Sequence, residues 1–93
     1  NNVKEIGNRA FYYCSSLVNI TISNNVEAIG YDALAGLSDN AQVTILGKIN
    51  SFDNAFGYGR NSLILCVPSE FLKYYKAGRR KMAPRKKIIY KTF

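Results

Sequence analysis

Ninety-three residues with 13 Lys or Arg, 6 Asp or Glu and no His carry a formal net charge of +7, enough chain for one domain with a modest core. The absence of His, the lone thiols Cys14 and Cys66 and the scattered carboxylates argue against a disulfide framework, a metal site, and general acid–base or triad catalysis. The longest apolar runs, such as Leu63-Ile64-Leu65-Cys66-Val67, fall far short of the roughly 20 residues that cross a bilayer.

At the N-terminus, Asn1 to Ile6 contains no basic region leading into an apolar stretch, so no signal peptide is expected in these residues. The chain instead begins almost at once on a repeat. At an offset of 23, Asn2-Val3-x-x-Ile6-Gly7-x-x-Ala10-Phe11-x-x-Cys14 lies over Asn25-Val26-x-x-Ile29-Gly30-x-x-Ala33-Leu34-x-x-Leu37, and Ile20-Thr21-Ile22 lies over Val43-Thr44-Ile45. A shortened copy follows, with Ile49, Phe52, Ala55 and Phe56 and then Leu65-Cys66-Val67. The units run over about 2–24, 25–47 and 48–68, and terminal units are often degenerate in this way.

Each unit changes period along its length. The triplets Ile20-x-Ile22, Val43-x-Ile45 and Leu65-x-Val67 alternate with Thr21, Thr44 and Cys66, which predicts three stacked parallel strands with one buried face. Ile6-Gly7 and Ile29-Gly30 are expected to let the backbone turn sharply, so that the following Ala-Phe or Ala-Leu pair points inward. Cys14 is expected in the core and Cys66 on the surface. The first unit would expose an apolar flank, so upstream repeats or another chain are expected to cover it.

Several motifs carry no chemistry. Gly57-Tyr58-Gly59 lacks the third glycine of a dinucleotide fingerprint, and Gly47-Lys48-Ile49 lacks the remainder of a phosphate loop, so both are turns. Asn19-Ile20-Thr21 matches a glycosylation sequon but sits inside a predicted strand. No cofactor and no catalytic residue is expected.

Beyond residue 68 the composition changes. Residues 1–68 have a net charge of −1, whereas 69–93 carry nine Lys or Arg against Glu70 alone, a net of +8. Pro68-Ser69-Glu70 supplies a chain-straightening proline, an N-cap hydroxyl and a first-turn acid, predicting a helix from about Glu70 to Ala77 that ends at Gly78. Phe71, Leu72 and Tyr75 then cover the last coil, and Ile88-Ile89-Tyr90 adds a final strand or packs beneath the helix.

The string Val-x-x-Ile-Gly-x-x-Ala-Phe-x-x-Cys-x-x-Leu-x-x-Ile-x-Ile from Val3 to Ile22 resembles the BspA-type leucine-rich repeat, closely over 2–46 and loosely over 49–68. The resemblance implies a mainly β repeat solenoid: a right-handed, curved coil of about three repeats with stacked parallel strands. A helix-bearing cap over 69–93 would close it. It also implies display on a cell surface or secretion, and binding of host or matrix proteins. Leu34, Leu37 and Asn40 depart from the pattern and are expected to weaken the second unit's core.

Two interaction surfaces follow. On the strand face, the columns Asn19, Gln42, Ile64 and Thr21, Thr44, Cys66 point away from the core as a polar, uncharged surface for a protein partner; its plainer alternative is a solvated sheet with a threonine ladder. In the C-terminal segment, Arg79, Arg80, Lys81, Arg85, Lys86 and Lys87 form a basic cluster that would attract a polyanion, or merely keep the chain soluble.

Overall fold

The computed structural model describes residues 4–57, 62–83 and 86–93. The elements, in order, are β1 (Glu5–Ile6), β2 (Asn19–Ile22), β3 (Ala28–Ile29), β4 (Ala41–Ile45), β5 (Leu63–Val67), a 3-10 turn (Ser69–Phe71), α1 (Leu72–Ala77), α2 (Arg79–Met82) and β6 (Ile88–Thr92).

The period-2 triplets form strands, and they stack in parallel. The main sheet has the order β2-β4-β5-β6, one strand more than the three repeat triplets predict, because Ile88–Thr92 pairs along the whole of β5. Ile20, Val43, Leu65 and Tyr90 stand side by side on its inner face. A smaller parallel sheet joins β1 to β3, and Ala28 bridges onward to Ser51.

A third ladder runs through the turns. The Phe11 N–H donates to the Ala33 carbonyl at 2.8 Å, and the Leu34 N–H to that of Ala55 at 2.8 Å. Each coil therefore satisfies its backbone on the next, which is how a stack of coils builds a core that none could build alone. Between the ladders, Ala33, Leu34, Val43, Ile45, Ile49, Ala55, Phe56, Leu65 and Val67 are fully buried. Each large one contributes about 1.5–3 kcal/mol of transfer free energy. Leu34 and Leu37 are both in this core, so these departures from the repeat pattern leave no exposed gap.

The chain turns after Ile6-Gly7 and Ile29-Gly30 as expected, with the Ala10 and Ala33 N–H groups donating to the Gly7 and Gly30 carbonyls at 3.2 Å, but the turn does not use glycine's conformational freedom. Gly7 and Gly30 do not adopt positive φ; the left-handed positions are Arg9, Asp32 and Asn54 in successive coils, followed by Tyr13, Gly36 and Gly57. Gly30 is needed for close approach instead, because a Cβ there would lie 2.5 Å from the Asn8 nitrogen and 2.8 Å from the Gly7 carbonyl carbon. Asn40 is also left-handed, at φ 61°, which suits an Asn where the first unit has Leu17.

The described part of the C-terminal segment extends the ladders of the repeats. The carbonyls of Lys81 and Met82 in α2 accept the N–H groups of Asn54 and Phe56, continuing the turn ladder. The Tyr75 hydroxyl accepts from the Ile49 N–H at 2.8 Å and donates to the Gly47 carbonyl at 2.7 Å, while the Tyr74 hydroxyl donates to the Ile49 carbonyl. Side chains thus satisfy backbone groups that another coil would otherwise meet.

The helix differs in detail from expectation. Its first turn is 3-10, the position before α1 is Phe71, and Ser69 makes no side-chain cap bond. Gly78 has φ −89° and leads straight into α2; a Cβ there would strike the Phe52 ring at 2.6 Å.

Candidate interaction surfaces

Alternation along the strands decides which residues form the outer face of the main sheet. In β4 the inward Ala41, Val43 and Ile45 are buried, leaving Gln42 and Thr44 facing out. The registers bring Asn19, Gln42, Ile64 and Ile89 into one row, and Thr21, Thr44, Cys66 and Lys91 into the next. All six residues expected on this face are thereby brought together in two rows, each lengthened by a residue of β6. Asn19 and Thr21 are exposed, while Gln42, Thr44 and Ile64 are half-buried. The surface is uncharged across its first three strands and turns apolar and basic at the fourth.

The two cysteines exchange their expected environments. Cys66 keeps its place on the outer face but is only 8% exposed, because it is flanked in register by Thr44 on one side and Lys91 of the added strand on the other. Cys14 is exposed rather than buried, since among the described residues its coil has a neighbour on one side alone. Both thiols are free.

Of the six basic candidates, the five within the described residues differ in exposure. Arg80, Lys81 and Lys87 are exposed and Arg79 is half-buried, with Arg79, Arg80 and Lys81 all in α2. Lys86 is only 5% exposed, and burial pushes its amine below the usual lysine range, an effect that the nearby Asp39 carboxylate opposes. It is thus a poor contact for a large polyanion. Arg85 lies outside the described residues. Further cations pack on the closing tyrosines, with Lys48 Nζ 4.6 Å from the Tyr74 ring centre and Lys76 Nζ 5.4 Å from that of Tyr90.

Three features went unread in the sequence. Tyr12, Tyr13 and Tyr31 are large and exposed, with Arg9 5.2 Å from the Tyr12 ring centre; tyrosines in a repeat otherwise read as core give no warning of this. The Tyr90 hydroxyl is buried with no partner among the described residues. The third feature is the outward row of β6, where Ile89 is 44% and Phe93 59% exposed; the alternation from Lys87 to Phe93 could have revealed it.

Concave space is limited. A cavity of about 270 Å³ lies where α1 meets the third coil, lined by Asn50, Phe52, Asp53, Tyr74, Ala77, Gly78 and Lys81. It contains a single carboxylate. An apolar recess of about 220 Å³ opens between Ile6, Phe11, Ile20, Ile22 and Val26 at the first coil. Among the described residues no group of three or more potential ligands could hold a metal ion, and no helix is long and apolar enough to cross a membrane.

Comparison with known families gives one result. The model of the BspA type leucine rich repeat region matches residues 1–77, in 6 copies. No curated protein and no solved structure matches the chain.

Proposed function

The chain belongs to the BspA-type leucine-rich repeat family, and we propose that it is a non-enzymatic protein-interaction scaffold whose contact surface is the outer face of the main sheet. Residues 1–68 serve as a right-handed coil of repeats, and 69–93 as its basic cap. The whole acts as part of an adhesin-like protein displayed on a cell surface or secreted. Upstream repeats or another chain cover the recess at the first coil.

The observation that carries this proposal is the in-register pair of rows, Asn19-Gln42-Ile64-Ile89 and Thr21-Thr44-Cys66-Lys91. Across its first three strands, a surface of amides, hydroxyls and single apolar side chains suits a protein partner, which can match hydrogen-bonding groups there without a large desolvation cost for charge. Four strands spaced about 4.8 Å apart put the outer two roughly 14 Å from each other. That width is a fraction of a standard interface of about 800 Å² per partner, so the face acts as one section of a longer one.

A second proposal is polyanion binding, favoured by the exposed Arg80, Lys81 and Lys87 with Arg79 beside them, in a segment whose only acid is Glu70. One experiment separates the two. The chain is passed over immobilised extracellular-matrix proteins and over heparin in a salt series, as wild type, as Gln42→Arg/Thr44→Arg, and as Arg79→Ala/Arg80→Ala/Lys81→Ala/Lys87→Ala. Matrix binding lost only in the sheet variant supports the outer face. Binding that falls steeply with salt and vanishes only in the basic variant overturns it in favour of the polyanion.

A further inference from the structure

The last strand has an outward row and an open edge, and the two together specify a ligand. Lys87, Ile89 and Lys91 share one parity, and all three are exposed. Successive side chains on a strand face opposite sides, so these three line the outer face, with the Lys87 and Lys91 Cα positions about 13 Å apart and Ile89 midway. Phe93, also exposed, continues the row.

The backbone of β6 follows the same alternation. The Lys87 carbonyl accepts from the Leu63 N–H at 2.9 Å, the Phe93 N–H donates to the Val67 carbonyl at 3.2 Å, and the Phe93 carbonyl accepts from the Ser69 N–H at 3.1 Å. Odd-numbered residues therefore turn their amides toward β5. Those of Ile88, Tyr90 and Thr92 point the other way, where no strand pairs with β6 among the described residues. An open edge of this kind is a template for another strand, and flanking lysines select which strands are admitted.

We propose that the free edge of β6 binds an extended acidic peptide as a fifth strand, with acidic side chains beside Lys87 and Lys91 and an apolar one beside Ile89. Opposite charges and apolar groups adjacent across a strand pair are favourable, and like charges are not. The +8 net charge of residues 69–93 attracts an acidic segment and repels a basic one. The same lysines disfavour pairing of this edge with the corresponding edge of a second copy. The site shares Ile89 and Lys91 with the outer rows but takes its backbone contacts from the sheet edge, so the Gln42→Arg/Thr44→Arg variant distinguishes it from the proposed outer-face contact.

The test uses the full chain and a short blocked peptide with Glu, Ile and Glu on one strand face and Thr between them. Two further versions carry N-methyl groups on one or the other alternate set of amides. We expect the peptide to bind, one methylated version to lose about tenfold or more in affinity and the other to bind as before. Lys87→Glu/Lys91→Glu should lose as much and should instead bind the peptide with Lys in place of Glu. Gln42→Arg/Thr44→Arg should leave peptide binding unchanged. Equal binding of all methylated versions, or competition by heparin at matched charge, would reduce the site to polyanion attraction and overturn the proposal. So would absence of binding, or self-association through β6 that the peptide cannot displace.

Discussion

Replacing Tyr75 by Phe is expected to lower stability by about 2–4 kcal/mol, which in a chain of this size shifts Tm by on the order of 4–8 °C per kcal/mol. The ring volume is retained, so packing against Phe52 and Tyr74 persists. What is lost is the hydroxyl that serves both the Ile49 N–H and the Gly47 carbonyl. Ile49 and Gly47 are buried, so neither group regains a water partner. Tyr74→Phe, at a half-buried site with one bond to the Ile49 carbonyl, should cost about 1 kcal/mol.

The same hydroxyl gives an alkaline signature. Burial pushes the Tyr75 phenol up to about 12, against an opposing contribution from its bond to Ile49. In the unfolded chain it titrates near 10.0. Between those values the unfolded state releases a proton that the folded state keeps, so the contribution is intact below pH 10 and is lost as pH rises toward 12. The loss is at most about 1.4 kcal/mol per pH unit. Urea unfolding followed by circular dichroism, repeated across this window, should show Tyr75→Phe with the shallower decline.

The second large effect is positional. Gly30→Ala is expected to destabilise by about 1–3 kcal/mol, because the added Cβ meets not only the Asn8 side chain but also the Asn8 and Gly7 backbone of the preceding coil, which cannot yield as a side chain can. Gly7→Ala, at the matching position one repeat earlier, has nothing within 4 Å of the added Cβ and should change stability by less than about 0.5 kcal/mol. Denaturation midpoints for the two variants check this directly. Equal losses would mean that the glycines serve the turn itself and not the packing of coil on coil.

These residues also mark what was legible in the sequence. The 23-residue offset identifies which side chains share a row, because a parallel stack places repeat-equivalent residues in register: Asn19 beside Gln42, Thr21 beside Thr44. It does not reveal how closely two coils approach, and so it places Gly30 at a turn without the close contact that requires a glycine there. Left-handed positions were half visible, in Asp32, Asn54, Gly36 and Gly57, but Arg9 and Tyr13 occupy the same places with side chains that give no such signal. The environments of Cys14 and Cys66 depend on the number of neighbouring strands, a property of the assembled stack. Likewise Lys86, one of six adjacent basic candidates by sequence, is withdrawn into the interior.

Both proposed surfaces depend on the proposed closing of the stack by the C-terminal segment, since β6 completes the outer rows and supplies the free edge. Amide hydrogen exchange on the native chain tests it most directly. The N–H groups of Ile49, Asn54, Phe56 and Leu63 are held, in turn, by the Tyr75 hydroxyl and by the carbonyls of Lys81, Met82 and Lys87. If the C-terminal segment stands in for a further coil, these four should be protected nearly as well as the amides of β4, which lies between two strands. Rapid exchange at all four, with β4 still protected, would contradict the account.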